Sequence, residues 1–364
     1  MDPQEVFCPN LGCPARGQVG KGNICIHNRE ERRYRCSVCH QTFSHRRGTA
    51  FFRRRVGEAE ITLVLTLLAH GCPIAAIETA FGYQRRTIRA WLLAAGTQAE
   101  AMHEENVLCP RELGEVQADE IRARIQKGVL WLAMAIQVST RLWLGGVASA
   151  HRDRHLIDAL VSLVRRCALA KPVLVCVDGL ATYVQALLGA FTTAERTGRR
   201  GRPRRLPWEG LVIAQVVKRR CKGRLVEVLR RVRVGSETLA WHLLWAAQGG
   251  GGINTAYIER INATFRARLW VLARRTRGLA RTDELMRAGM YLIGAVYNFC
   301  TLHASLRLSV GGQRTPAMAA GITDHYWSVS ELLWHRVKPP PWTPPKRRGP
   351  VPARLRNLQQ RWAT

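Results

Sequence analysis

From Glu58 to Gly96 the apolar residues recur at helical spacing. The runs EAEITLVLTLLAHG, PIAAIETAFG and YQRRTIRAWLLAAG keep Ile74, Ile77, Phe81, Ile88, Trp91 and Leu92 in register, the pattern of amphipathic helices that share one core. Gly82 falls at the turn between the last two runs, and Arg85, Arg86 and Arg89 lie on the outer face of the third. From Gly114 the period shortens. GEVQADEIRARI, GVLWLAMAIQVS and TRLWLGGVAS read as three successive β-segments with short turns at Lys127-Gly128 and around Thr140. RDRHLIDALVSLVRRCAL returns to helical periodicity, and PVLVCVDG is a short buried strand that ends in an acid. A strand that follows a helical crossover is expected to pair in parallel, so the sheet is expected to be mixed. LVIAQVVKRR and RLVEVLRRVRVGS are further strand candidates, and after GGGGI a long helix is expected from about Asn254 to Arg274.

At 364 residues the chain can hold two or three domains. Its 56 basic residues outnumber 26 acidic ones for a net charge of +30, and they are spread over every region. A polyanionic partner follows, with nucleic acid foremost. A ribosome-associated protein or a membrane-surface binder could carry such charge, but neither explains where the acids fall. No apolar run approaches the ~20 residues that span a bilayer, and MDPQEVFCPNLGC lacks the layout of a signal peptide. A cytoplasmic location is expected. The eleven cysteines are an odd number without an export signal, so a disulfide framework is not expected. Cys72, Cys109, Cys167, Cys176, Cys221 and Cys300 are scattered singly, as small buried hydrophobes are.

The N-terminal cysteines are grouped. Cys8-x4-Cys13 and Cys36-x2-Cys39 are two short-spaced pairs flanking a Gly- and Arg-rich loop, and such pairs can close a tetrahedral thiolate site around structural Zn²⁺. Cys25, His27 or His40 could replace one ligand. The helical runs that follow read as a helix-turn-helix, with residues 84 to 95 as the recognition helix and Arg85, Arg86 and Arg89 facing DNA. Glu78 departs from that motif, which usually has a small residue there.

Three acids stand apart in this basic chain: Asp119 in GEVQADEIRARI, Asp178 in VLVCVDGLATYV and Glu259 in NTAYIERINATF. Carboxylates from separate elements can hold two Mg²⁺ ions against a nucleic-acid phosphate that the acids alone would repel. Three antiparallel strands, a helix, a strand with an acid at its carboxyl end and a late helix carrying Glu259 describe the ribonuclease H-like order. The fold class expected is therefore α/β, a ribonuclease H-like mixed-sheet domain at 109–305. A zinc-binding module at 1–50 and an all-α domain at 51–108 precede it, and a Pro-rich basic extension occupies 306–364. Glu120 competes with Asp119, since alternation along a strand sends the two to opposite faces.

The paired cysteines with YRC, the helix-turn-helix, VQADE, VDGLATYV, NTAYIERINATFRARLWVLARRT, VYNFCTLHASL and RTPAMAAGITDHYW together resemble a bacterial insertion-sequence transposase of the DDE type, in the family founded by insertion sequence one. YIERINATFR is the most specific piece. The resemblance implies Asp119, Asp178 and Glu259 as metal-binding catalytic acids using two Mg²⁺ ions, with Mn²⁺ as a substitute. It implies cleavage at the element's terminal inverted repeats, strand transfer into target DNA, and a homo-oligomer acting near the nucleoid. Asn262, Arg266, Arg268, Arg274 and Arg275 would contact phosphates. Arg200 and Arg202 lie in an Arg-Gly-Arg-Pro stretch that resembles a minor-groove hook or serves as a basic linker, whereas PPPWTPPKRRGPVP reads as an extended tail. Two other readings remain open: a DNA-binding regulator with an inactive acidic domain, and a ribonuclease H-like nuclease without strand transfer.

Overall fold

The computed structural model describes residues 2–125, 128–195, 203–222, 224–269, 272, 283–307, 311–344 and 351–362. Two compact units emerge, Met1–Ile61 with Leu333–Thr364, and Thr62–Leu332. In the first, three short strands β1 (Ile24–Asn28), β2 (Arg33–Cys36) and β3 (Thr42–Ser44) form an antiparallel sheet in that order. Its core is small: Val6, Ala15, Ile24, Tyr34 and Phe43 surround the buried Cys8, Cys13 and Cys36. Trp362 closes it. The described residues of the Pro-rich stretch, 339–344 and 351–352, form neither helix nor strand, as read from the sequence, while Ala353–Trp362 beyond it form a helix that buries its last aromatic ring there. Burying the indole takes apolar surface out of water and offsets part of the cost of ordering the ten-residue helix.

The second unit begins within the helix α1 (Glu58–Ala69) and takes in α2 (Ile74–Phe81) and α3 (Arg85–Asn106). Gly82 ends α2 at φ 71°, a left-handed turn that a glycine adopts without strain. The expected recognition helix of residues 84–95 is only the first half of α3. Its second half buries Ala95, Ala99, Met102 and His103. Gly96, the end of the periodic run in the sequence, is instead a point of close approach: a Cβ there would lie 2.4 Å from Ala288.

The strands follow as β4 (Gly114–Ile125), β5 (Gly128–Gln137) and β6 (Trp143–Ser149), then helix α4 (Arg154–Cys167), strand β7 (Val173–Asp178) and helix α5 (Ala181–Ala190). A small hairpin, β8 (Thr192–Glu195) and β9 (Arg204–Pro207), precedes the long pair β10 (Leu211–Cys221) and β11 (Arg224–Val234). Helices α6 (Glu237–Gln248), α7 (Ala256–Arg268) and α8 (Asp283–Cys300) complete the unit's framework. The main sheet runs β11-β10-β7-β4-β5-β6. β4, β7 and β10 are parallel, whereas β5, β6 and β11 are antiparallel to their neighbours. The mixed α/β sheet read from the sequence is therefore present, with its parallel strand after a helical crossover.

Helix α8 is buried almost throughout from Leu285 to Cys300, and it fixes one end of the sheet. Asn298 accepts from the N–H of Trp143 and donates to its carbonyl, both at 2.9 Å, so a side-chain amide satisfies the backbone of β6 as a neighbouring strand would. The Trp143 ring packs among Phe265, Tyr291 and His103. α7 and α8 thus lie on one face of the sheet.

Candidate acidic groove and metal centres

Asp119 and Asp178 meet because β4 and β7 run in parallel register. Gln117 pairs with Cys176, and two residues further along both strands bring Asp119 and Asp178 side by side on one face. Glu259 and Asn262, three residues apart on α7, share a helix face. Asn262 donates to Asp119 Oδ2 at 2.8 Å. Asp119, Arg152, Asp178, Lys218, Thr255 and Glu259 line one groove of about 460 Å³. The three acids picked from the sequence therefore share a groove, although they come from two strands and a helix.

A polar ladder aims α7 into that groove. Along β4 the alternate residues Glu115, Gln117 and Asp119 project to the α6–α7 side. Glu115 accepts from Gln248 at 2.7 and 2.8 Å, and Gln117 donates to Glu115 at 3.0 Å and to Asn254 at 3.2 Å. The side-chain oxygen of Gln117 then accepts the N–H groups of Tyr257 and Ile258 at 3.0 and 3.2 Å. These are first-turn donors that a helix cannot satisfy internally. A glutamine from a strand thereby anchors the start of the helix that carries Glu259.

Charge crowding shows in the proton affinities. Burial, followed by the neighbouring charges of Glu120, Asp178 and Glu259, pushes Asp119 up to about 6. Burial also acts on Glu259, but hydrogen bonds from Lys218 and Thr255 outweigh it and hold that carboxyl below its ordinary range. The Asp178 carboxylate has two contacts among the described residues: Oδ1 accepts the N–H of Leu180 at 2.9 Å, capping the strand-to-helix turn, and Oδ2 lies 3.2 Å from Arg152.

Glu120 points through the other face, toward α5. Its Oε2 receives Arg152 twice, at 2.7 and 2.9 Å. Burial and the Glu120 charge hold the Tyr183 hydroxyl well above the usual range. Even so, carboxylate oxygens of Asp119, Glu120 and Asp178 come within 4.8 Å of one another and could hold a metal ion. The donors are all hard oxygens, which suits Mg²⁺, and Glu120 Oε1 is buried without a hydrogen-bond partner among the described residues. Glu259 lies outside that tight group and is paired with Lys218.

The second candidate centre is the thiol cluster. Cys8 and Cys39 sulfurs are 3.6 Å apart, and those of Cys13 and Cys36 are 3.8 Å apart. A tetrahedral ion with Zn–S bonds of about 2.3 Å needs sulfurs about 3.8 Å apart, so the four residues fit a metal such as zinc. Thiol sharing reflects the crowding: donation to Cys36 and then burial raise Cys8, while the same hydrogen bond pulls Cys36 down to about 4. Cys25 is exposed and donates to the Arg35 carbonyl, away from the cluster.

No family model and no curated protein matches this chain.

The basic residues singled out in the sequence have mixed positions. Arg86 is exposed; Arg85 is also exposed but pairs with Glu78 at 2.5 Å, which gives that unexpected acid a partner. Arg89 and Arg266 are half-buried. Arg268 is tucked inward, donating to Thr301 at 3.4 Å. Arg200, Arg202, Arg274 and Arg275 lie outside the described residues. The sequence reading missed Gln117, Arg152, Lys218 and Thr255. Lys218 and Thr255 were discoverable in principle, one by strand alternation and the other by its four-residue spacing from Glu259; nothing local marked Gln117 or Arg152.

Proposed function

We propose that this chain is a transposase of the DDE type, cleaving DNA at the ends of an insertion sequence and joining them to target DNA by in-line phosphoryl transfer. The observation that carries the reading is the convergence of Asp119, Asp178 and Glu259 in one groove. The strand order β6-β5-β4-β7-β10 supports a ribonuclease H-like domain. Its first acid is on the first strand, its second ends the fourth and its third is on a later helix.

Phosphodiester transfer requires positioning and charge stabilisation more than covalent chemistry from the protein. Bound at these acids, two Mg²⁺ or Mn²⁺ ions would supply an activated attacking oxygen and a stabilised leaving oxygen. Asp119 and Asp178 form the side-by-side anionic floor of the site. Asn262 fixes the orientation of Asp119, and Thr255 that of Glu259. Arg152 neutralises Glu120 and leans on Asp178, so it limits the repulsion the groove presents to a phosphate. Lys218 offers a cation at the groove's rim. The zinc-binding module and the α2–α3 pair, with Arg86 exposed, are assigned to recognition of duplex ends, and two ends call for a homo-oligomer.

The deciding experiment incubates the protein with duplex DNA carrying the element's end and Mg²⁺, beside Asp178→Asn. Asparagine keeps an oxygen to cap Leu180 and removes the charge. Wild type should nick and join, while the variant binds without nicking. Binding without nicking by the wild type would leave a DNA-binding regulator, and nicking without joined products would leave a nuclease.

A further inference from the structure

Beyond the acids, the most strongly charged described element is the β10–β11 hairpin. Between Leu211 and Val234 the sequence holds eight basic residues and one acid, Glu227. The hairpin outruns the sheet that bears it: β10 follows β7 only from Leu211 to Val216, while its pairing with β11 continues to Cys221 and Arg224. From Val217 onward it is a two-stranded ribbon with no β7 residue beside it.

Register fixes what the hairpin presents at the base of that ribbon, where β10 still lies between β7 and β11. Val216 pairs with Asp178 on one side and Arg230 on the other. Asp178, Val216 and Arg230 therefore form one row across three strands and share a face. At about 4.8 Å between strands, Arg230 lies about 10 Å from Asp178 along that row. Two residues further out on the same face, Lys218 reaches Glu259. Arg230 is exposed and Arg231 is exposed on the opposite face. β11 is the sheet's edge, and Leu225 and Val226 near its tip are 52% and 67% exposed.

We propose that this ribbon is a docking element for duplex DNA, which it guides into the acidic groove, with Arg230 holding a backbone phosphate beside the one that reacts. The inference rests on the reading of the groove as a DNA phosphoryl-transfer site. A two-stranded ribbon has the width the major groove admits, and its charge is complementary to the backbone. Edge arginines also discourage pairing with another strand, which favours a polyanion over a second copy of β11.

The test measures binding of a short duplex of unrelated sequence across a salt series, without divalent ions, for the wild type, a ribbon variant Arg224→Gln/Arg230→Gln that neutralises the ribbon's tip and its base, and a control, Arg154→Gln/Arg166→Gln, neutralised on α4. The ribbon variant should bind more weakly, with a salt slope lower by about 1 to 2, each lost phosphate contact accounting for about 0.9. The control should keep the wild-type slope, and Arg230→Lys should recover most of the binding. Ribbon and control variants with equal affinity and slope would overturn the proposal. So would a ribbon variant that changed oligomeric state while its DNA binding stayed put. A wild type that binds in this ribbon-dependent way but never nicks would remove the proposed reaction and leave the docking element standing.

Discussion

The side-chain carbonyl of Gln117, on a central strand, accepts the main-chain N–H of Tyr257 at 3.0 Å and that of Ile258 at 3.2 Å. Because Gln117 is two residues from Asp119 on β4 and Tyr257 two residues from Glu259 on α7, this one amide ties together the elements that carry two of the three acids. Its donor side continues into Glu115 and Asn254, so the carbonyl is not free to rotate away.

Gln117→Leu should therefore act in two ways. Two helix N–H groups lose their acceptor, at about 1–3 kcal/mol for unsatisfied buried polar groups, readable as a lower denaturation midpoint. Glu259 also loses its anchor, so nicking should slow more than DNA binding weakens. Gln117→Glu keeps an acceptor for the helix and, because burial raises the Glu115 carboxyl, can share a proton with Glu115 in place of the lost amide donor; it should retain more activity than Leu. Equal losses from both variants would show that the amide does not orient the helix.

Metal removal addresses the thiol cluster. Cys36→Ser should abolish stoichiometric zinc and, with it, the cooperative unfolding of the N-terminal sheet, whose own core is too small to stand alone. Cys25→Ser should keep full zinc content, because that thiol points to the Arg35 carbonyl. Zinc analysis of the purified variants distinguishes the two, and a metal-free wild type with unchanged unfolding would count against a structural ion.

Much of this architecture was legible in the chain itself. Strand alternation in GEVQADEIRARI and the apolar run PVLVCVD gave β4 and β7, and the late helix gave Glu259 a place. The cysteine spacing gave the thiol cluster. What stayed hidden depended on partners remote in sequence. Gln117 looks like any strand glutamine until its register against α7 is known, and Arg152 lies in a loop whose neighbours are set only by folding. Gly96 resembles a helix stop in the sequence, so α3 reads shorter than it is, whereas packing against Ala288 is what requires a residue without a side chain there.

Close packing makes Gly294 a sharp probe of the buried helix. A Cβ there would fall 2.0 Å from the Trp143 ring, and that ring is fully buried among Phe265, Tyr291 and His103. Gly294→Ala should destabilise the second unit by about 1–3 kcal/mol or more, the range typical of overpacking. Gly189→Ala, with open space around it, is the control and should be stable. Chemical denaturation of the two variants makes the comparison.

His103 predicts an acid-sensitive fold independent of the groove. Its Nε2 lies 3.0 Å from the Leu144 carbonyl and must carry the proton to donate there, while Nδ1 is buried without a partner among the described residues. Charging the ring would bury a second N–H with no acceptor. Burial accordingly depresses its pKa from 6.5 to about 4. A histidine depressed in the fold contributes stability that is complete above the unfolded value near 6.5 and is lost as pH falls from there toward 4, since the unfolded chain binds the proton first. At about 1.4 kcal/mol for each pKa step, the loss is about 3 kcal/mol. His103→Gln keeps a donor for Leu144 and does not titrate. Urea unfolding at pH 7 and pH 4 should therefore show a drop that is larger in the wild type than in the variant by that amount. Equal drops would mean that the buried ring is already charged, or that the unit opens around it before it takes up the proton.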